Sequence, residues 1–275
     1  MVSPVKLGIL VNAYARTSEL QRCLSSILDS TRYLSVEKLI LHQTGVSESM
    51  HISASFSNQY LLKYVEPRSS NLLECINSNR VQGLSILFED LNVDAVLAVE
   101  DDVEVAMDAA EFCIDVWHQF VDHKDFRGVN LGSRIPRIDE RDPTDTFSLL
   151  RYGLHGQAGL LTRRTWLHIR QKDLGVRIDS GFDSQIESYL KTGFMVTSNY
   201  SRYLDRGFDQ YATHAVRDQN DRSFRSLELS YLGKDYVPKS KNYVLHQMNH
   251  TSWRKDAIAY KKYRNFEYKL RSKIV

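Results

Sequence analysis

The stretch Ala95-Val-Leu-Ala-Val-Glu-Asp-Asp102 decides the fold, because a short, wholly apolar run ends abruptly in three carboxylates. Five apolar residues in a row predict a strand that is buried on both faces, as the strands of parallel sheets are. The acids then follow at the carboxyl end of that strand. Ligands of open α/β sheets bind at this edge. The stretch therefore predicts an α/β protein with a ligand site at residues 100–102.

The regions on either side alternate in the same way between strands and helices. Residues 6–11, 38–42 and 61–65 are further strand-like runs. Apolar residues recur at helical spacing after Thr17, a suitable N-cap, and again over residues 71–90 and 107–121. Strands that alternate with helices predict a mixed, mainly parallel sheet flanked by helices. Residues 128–131 and 194–197 add two candidate strands, and residues 179–191 a loop that enters a helix.

The acidic cluster predicts a metal–phosphate site. Three adjacent carboxylates repel one another unless a cation or hydrogen-bond donors compensate their charge. Mg²⁺ or Mn²⁺ is the usual compensation, because these ions bind both carboxylates and substrate phosphates. The loop of residues 12–16 follows the first strand at the same sheet edge and strengthens this interpretation. A solvated acidic loop is the alternative, since Glu104 and Asp108 extend the acidity.

The composition of the chain indicates its size class, the state of its cysteines and its location in the cell. The 275 residues suffice for one large α/β domain, and 25% charged residues are typical of a globular chain. Cys23, Cys75 and Cys113 are far apart and lie in apolar helical patterns, which predicts buried free thiols. The sequence has no signal-peptide pattern and no apolar run of bilayer length. We therefore expect a cytoplasmic protein, at most attached peripherally to the inner membrane surface.

Several segments resemble a known family. The run from Val96 to Glu104, VLAVEDDVE, resembles the acidic motif of GT-A fold glycosyltransferases and is most similar to the EDD form of the N-acetylglucosaminyltransferase I-type family. Residues 8–28 are similar to the start of many GT-A domains. Residues 179–188, DSGFDSQIES, resemble the stretch that carries the catalytic base, and residues 200–214 a late segment that ends in a histidine. The resemblance covers roughly residues 5–215 and implies a GT-A, Rossmann-like fold.

The resemblance also implies roles for individual residues. Asp102 would bind the metal together with His214, and Asp183 would be the general base in a transfer with inversion. The residues implied to meet the nucleotide-sugar are Val11, Asn12, Tyr14, Arg16, Arg80, Glu100 and Asp101. The implied donor is a UDP-sugar, the cofactor is Mn²⁺ or Mg²⁺, and the product is a hexosyl or N-acetylhexosaminyl linkage on an acceptor hydroxyl.

Alternatives stay open at several of these positions. Asp179 competes with Asp183 as the base, and both would also suit the start of a helix. His246 and His250, four residues apart, compete with His214 as the second metal ligand. The glycine-bearing segment 154–161 is either a plain turn or a lining of the acceptor pocket, with His155 and Gln157 facing the acceptor.

A basic C-terminal arm, residues 234–275, follows the predicted catalytic domain of residues 1–233. The arm holds eleven Lys or Arg and three Asp or Glu, which gives it a net charge of +8. Because the whole chain carries a net charge of +2, the remaining residues carry −6. Aromatic residues recur in the arm every three or four positions, which predicts an amphipathic helix. The helix would pack on the catalytic domain or lie on an anionic membrane surface. Nucleic-acid binding is disfavoured, because no recognised module accompanies the charge.

The expected partners are a nucleotide-sugar donor and a glycan or glycolipid acceptor. A metal-dependent phosphohydrolase is an alternative function, but one common type needs an Asp directly after the first strand, where this chain has Asn12. A non-catalytic nucleotide- or carbohydrate-binding protein of the same fold is the other alternative.

Overall fold

The computed structural model describes residues 5–132, 147–150, 154, 157–174, 180–198 and 202–205. Strands and helices alternate in the first half of the chain. In order they are β1 Leu7–Ala13, α1 Thr17–Ser30, β2 Glu37–Gln43, α2 Ser47–Ser55, β3 Leu61–Val65, α3 Leu72–Ser85, β4 Ala95–Glu100, β5 Val103–Val105 and α4 Ala109–Phe120. A π-helical segment, Ile86–Asp90, continues α3. The long helix predicted over residues 71–90 is thereby confirmed.

The second half has shorter elements and more antiparallel pairing. Its elements are β6 Phe126–Asn130, β7 Phe147–Leu150, β8 Ala158–Thr162, α5 Arg163–Gln171, α6 Phe182–Leu190, β9 Phe194–Ser198 and β10 Tyr203–Asp205. The strands predicted at residues 128–131 and 194–197 and the helix predicted after residue 179 are present, with boundaries shifted by a few residues.

Eight of the strands form one sheet in the order β3-β2-β1-β4-β8-β6-β9-β7. The first four are parallel to one another, and β6 is parallel to β9. Strand β8 runs antiparallel to both of its neighbours, and β7 is antiparallel to β9. Six strands therefore point one way and two the other, which confirms the predicted mixed, mainly parallel sheet. In this register Asn12 of β1 lies directly beside Glu100 of β4.

The two faces of the sheet are covered by different helices. Leu7, Ile9 and Val11 of β1 belong to a buried cluster that includes residues of α1 and α4. Leu10, the intervening residue, belongs to the cluster formed with α3, α5 and α6. Consecutive strand residues thus meet apolar helices on opposite sides, which is why β1 and β4 are continuous apolar runs. The three cysteines are buried and free, as predicted.

The structure differs from the sequence-based expectations at three places. Thr17 is the first helical residue rather than the N-cap; Arg16 holds the N-cap position with an extended backbone and no capping hydrogen bond from its side chain. Helix α2 was not predicted, because its buried residues are Ser49 and Ser53 and it has no apolar stripe. Gly159, assigned to a turn, lies within β8 between Ala98 and Asn130. The glycine spacing hid a fully buried strand.

Strands β5 and β10 form a separate antiparallel pair in which Asp205 lies opposite Val103. A buried ion pair stands beside this ribbon: Arg202 Nε donates to Asp108 Oδ2 at 2.9 Å, and both side chains are 1% exposed. The Arg202 guanidinium also lies 4.0 Å from the centre of the Phe112 ring. The pair fixes the start of β10 against α4 and thereby holds Asp205 next to the acidic cluster.

Replacing Arg202 by methionine should lower the free energy of unfolding by about 3–5 kcal/mol, because Asp108 would stay buried without its counter-ion. Urea denaturation measures the change. Lys191→Met is the matched control. The paired side chains of Lys191 and Glu187 are 49% and 30% exposed, so we expect the free energy of unfolding to change by no more than about 0.5 kcal/mol. Equal losses in the two variants would contradict the structural role given to Arg202.

The C-terminal arm and the domain boundary at residue 233 lie outside the described residues and stay predictions. The location in the cell stays a prediction as well. Within the described residues, no helix combines the length and the apolar character that a membrane span requires.

Candidate functional site

The acidic cluster lies where β4 ends. Glu100 is the last residue of β4, and Asp101 and Asp102 form the turn that leads into β5. Asp101 is 6% exposed and Asp102 is 5% exposed, so both carboxylates are largely withdrawn from water. Two buried carboxylates side by side need compensating charge or hydrogen-bond donors.

Arg16, in the loop between β1 and α1, supplies that compensation in this structure. Its Nη1 donates to Asp101 Oδ1 at 3.1 Å and forms an ion pair with Asp102 Oδ2 at 2.8 Å. The backbone N–H of Tyr14 donates to Asp101 Oδ2 at 3.0 Å. From the sequence we expect a metal ion to compensate the carboxylates and Arg16 to meet the nucleotide. The guanidinium stands instead where a cation would bind the two aspartates.

The protonation of Asp101 follows from this environment. Burial raises the pKa of Asp101 to about 6, while Arg16 and the Tyr14 N–H act in the opposite direction. Burial, together with the charges of Asp101 and Asp102, also raises the pKa of the Cys23 thiol well above its usual range. The ionised form of Asp101 at neutral pH thus depends on the nearby guanidinium.

Arg80, on α3, meets the third acid of the cluster. Its side chain is 4% exposed, and Nη2 donates to Glu100 Oε1 at 3.2 Å. The Nε atom of Arg80 is buried and has no hydrogen-bond partner among the described residues. From the other side, the carbonyl of Gln157 accepts from the Glu100 N–H at 2.9 Å. Arg80 and Gln157, both singled out in the sequence, therefore converge on Glu100.

Asn12 has the most unusual environment in the site. It lies next to Glu100 in the sheet register, and its side chain is on the same face of β1 as Leu10, the face covered by α3. Both polar atoms of its amide, Oδ1 and Nδ2, are buried and make no hydrogen bond within the described part of the chain. An unsatisfied buried polar group costs about 1–3 kcal/mol, so such groups are rare unless a ligand or water completes them.

The loop that carries Tyr14 is fixed by α2. The Ser49 hydroxyl donates to the carbonyl of Tyr14. His42 Nε2 lies 3.2 Å from the same Ser49 oxygen, and His42 Nδ1–H donates to the Gln43 carbonyl at 2.7 Å. His42 and Ser49 were not anticipated, because neither belongs to a recognisable motif. Val11 is fully buried in the apolar core beneath the site.

His42 makes stability depend on pH. Burial lowers its pKa, against the opposing effect of its hydrogen bonds. The unfolded chain takes up this proton near its ordinary pKa of about 6.5, and the folded chain only at lower pH, so acidification below that value destabilises the fold. The stability advantage of the wild type over His42→Gln should therefore shrink between pH 7.5 and pH 5. Urea titrations at each pH measure it, and an advantage that grows on acidification would contradict this reasoning.

The first turn of α6 is fastened to α3 beside Arg80. Asn77 Oδ1 accepts from the Phe182 N–H at 3.0 Å, and Asn77 Nδ2 donates to the Ser180 carbonyl at 2.9 Å. The Arg80 guanidinium lies 5.8 Å from the centre of the Phe182 ring. Asp183, the next residue, is half-buried on this turn. The structure thus connects the segment of Asp183 to the acidic cluster through Arg80 and Glu100.

The remaining sequence candidates lie outside the described residues. These are Asp179, His155, His214, His246 and His250.

A concave region lies at the opposite end of β4 from the acidic cluster. Asp94, Trp117, Thr162, Arg163 and Arg164 contribute to its lining. It shares no residue with the acidic cluster. Arg163 is already engaged there, with Nη2 donating to Asn92 Oδ1 at 2.8 Å.

Comparison with known proteins identifies the fold. No protein-family model matches the sequence, and no curated protein matches it. Among solved structures, S. aureus TarS is similar with a TM-score of 0.53 and 13% identity, over 74% of this chain and 37% of that one. Residues 1–349 of TarS give a TM-score of 0.50 and 12% identity, over 72% and 59%. At such identities the likeness concerns the fold alone, and the chain has the GT-A fold that its sequence predicted.

A third structure is more distant. The mannosyltransferase PcManGT from Pyrobaculum calidifontis, in complex with GDP-Man and Mn²⁺, has a TM-score of 0.48 and 11% identity, over 71% of this chain and 57% of that one. The chain therefore spans between 37% and 59% of the length of these three structures.

Proposed function

We propose that this chain is a metal-dependent glycosyltransferase that moves a sugar from a nucleoside-diphosphate donor to an acceptor hydroxyl. The observation that carries the proposal is the buried Asn12 amide, which has no hydrogen-bond partner among the residues that the structure describes and lies beside the acidic cluster. It stands at the carboxyl ends of β1 and β4, where open α/β sheets bind their ligands. The GT-A fold is consistent with this proposal.

The donor would lie across the ends of β1 and β4. Asn12 and Tyr14 would meet the nucleotide, Arg16 the diphosphate, and Glu100, Asp101 and Arg80 the ribose and sugar. The contacts of Glu100 with Arg80 and of Asp101 with Arg16 support this division, because each carboxylate is already held in a fixed direction. Val11 contributes the core that supports the strand end.

The residues present fit a divalent cation at Asp102. The Arg16 guanidinium, a cation paired with both aspartates, supports this fit. Within the described part of the chain, no three His, Cys, Asp or Glu side chains group into a metal site. Mg²⁺ and Mn²⁺ sites of this kind commonly use one or two carboxylates and take their other ligands from phosphates and water. We propose His214 as the second protein ligand.

A bound Mn²⁺ or Mg²⁺ would supply stabilisation of the negative charge that develops on the departing diphosphate. The protein's own residues would do the rest. Arg16 and Asn12 would hold the donor, and the first turn of α6 would place Asp183 towards the acceptor. The acceptor oxygen would form a bond to the anomeric carbon while the bond to the diphosphate breaks. The hydroxyl proton would pass to the Asp183 carboxylate, with inversion at the anomeric carbon.

The acceptor class is proposed from the family resemblance of the sequence, and the membrane contact from the charge of the C-terminal arm. A glycan or glycolipid would supply the hydroxyl group, and the basic arm of residues 234–275 would contact the catalytic domain or an anionic inner-membrane surface. Binding of the protein to vesicles with and without anionic lipid tests the membrane contact.

A donor screen tests the proposed activity. UDP-GlcNAc, UDP-glucose and GDP-mannose are incubated with the protein in Mn²⁺, in Mg²⁺ and in EDTA, and released nucleoside diphosphate is quantified. We expect slow metal-dependent hydrolysis of one donor without an acceptor, and faster release with a suitable acceptor. The corresponding nucleoside diphosphate should also raise the melting temperature when metal is present. Neither release nor a melting shift with any donor would refute the proposal, whereas a shift without turnover would favour a non-catalytic binding protein.

A further inference from the structure

We propose that Arg16 is a displaceable counter-ion of Asp102, which keeps a divalent cation out of the site until a nucleoside diphosphate arrives. The inference rests on the proposed function and concerns the order in which metal and donor bind. Arg16 would leave the carboxylates when phosphate becomes available, and the metal would then take its place.

The geometry makes the guanidinium and a metal ion competitors for one oxygen. Arg16 Nη1 lies 2.8 Å from Asp102 Oδ2. A Mg²⁺ ion bound to that oxygen would lie about 2.0–2.1 Å from it. Since both cations would touch the same atom, they could be no more than about 5 Å apart. Two like charges at that distance, among largely buried groups, repel each other strongly.

The burial of the three side chains strengthens the competition. The side chain of Arg16 is 13% exposed, and the side chains of Asp101 and Asp102 are 9% and 6% exposed. Little water is available to screen the charges, and the guanidinium neutralises both carboxylates at once. A metal ion that arrives alone must displace Arg16 and leave it without the charge partners it has here. We therefore expect weak metal binding to the protein without nucleotide.

A diphosphate removes this obstacle because it offers Arg16 a better partner. Guanidinium groups bind phosphate oxygens through two parallel hydrogen bonds, and these are among the stronger charge-assisted contacts in proteins. The move of Arg16 to phosphate would free Asp102 for the metal, and the metal would in turn bind the same phosphates. By linkage, each ligand then raises the affinity for the other by the same factor.

The test measures Mn²⁺ binding by electron paramagnetic resonance, first without nucleotide. We expect Arg16→Gln to bind Mn²⁺ at least tenfold more tightly than the wild type, because the competing cation is gone. Arg22→Gln is the matched control: it removes the same charge from an exposed position on α1 and should leave Mn²⁺ affinity unchanged. In the double variant Arg16→Gln/Asp102→Asn the gained affinity should disappear, which locates the ion at Asp102. Circular dichroism checks that each variant is folded, and Arg16→Met serves as a second neutral substitution.

The second half of the test adds UDP or GDP. The factor by which nucleotide tightens Mn²⁺ binding should be at least tenfold larger in the wild type than in Arg16→Gln. Mn²⁺ affinity in Arg16→Gln that equals or falls below the wild type would overturn the inference. The two proposals fail separately. A gain in Mn²⁺ affinity in Arg16→Gln without turnover of any donor would support the counter-ion role of Arg16 and refute the transferase activity. Turnover of a donor without that gain would support the transferase activity and refute the counter-ion role.

Discussion

Replacing Asp102 by asparagine is expected to reduce metal-dependent donor turnover by about 10²–10⁴-fold. The amide keeps the shape of the side chain but cannot neutralise a cation, so the charge stabilisation of several kcal/mol that a metal gives a departing diphosphate is lost. Asp101 would still pair with Arg16, so the fold should be retained. Initial rates of nucleoside diphosphate release in saturating Mn²⁺ measure the effect.

The control for this variant is Glu104→Gln. Glu104 lies two residues further along, in β5, and belongs to the same acidic run. Removing its charge should change turnover by less than about threefold, a difference below 1 kcal/mol. An Asp102→Asn protein as active as the control would remove Asp102 from the metal site.

Asp183→Asn should abolish most sugar transfer and spare donor binding. A positioned general base contributes about 10²–10⁴-fold, so turnover should fall by that factor. The affinity for donor and metal should change little, because Asp183 lies in the first turn of α6, whereas the acidic cluster lies at the end of β4. Turnover with acceptor and calorimetric titration with the nucleoside diphosphate, on the same preparation, separate the two effects.

Two comparisons make the assignment of the base specific. Glu187→Gln removes a carboxylate one turn later on α6, where its partner is Lys191 at the surface, and should leave transfer intact. Asp179→Asn tests the competing candidate and should be the milder of the two aspartate substitutions. Normal transfer by Asp183→Asn, or a greater loss in Asp179→Asn, would assign the base elsewhere.

Much of the fold could be predicted from local sequence because its central strands are buried on both faces. The run Ala95–Val99 predicts a buried strand, because its five apolar residues are followed at once by carboxylates, and the apolar run of β1 predicts a strand in the same way. Helix α2 and strand β8 escaped prediction for the opposite reason. The buried residues of α2 are serines, and β8 is defined by its pairing with β4 and β6, which are distant from it in sequence.

The site could be predicted as a set of residues but not as an arrangement. The acids, Asn12, Arg16 and Arg80 stand out by type and position at strand ends. What the sequence could not give is the pairing of Arg16 with Asp101, which are 85 residues apart, or the fastening of α6 by Asn77, 105 residues from Phe182. Such contacts depend on how helices pack across the sheet. The unsatisfied amide of Asn12 likewise has no signature in sequence.

A crystal structure with UDP or GDP and Mn²⁺, with anomalous data for manganese, would show whether the donor binds at the acidic cluster. We predict an anomalous peak about 2.2 Å from an Asp102 carboxylate oxygen. We also predict a diphosphate at the ends of β1 and β4, Arg16 turned towards phosphate, and the Asn12 amide hydrogen-bonded to the nucleotide or to a water beside it. Nucleotide bound instead in the region of Trp117 and Arg163, at the other end of β4, with the Arg16 pairs unchanged, would contradict this prediction.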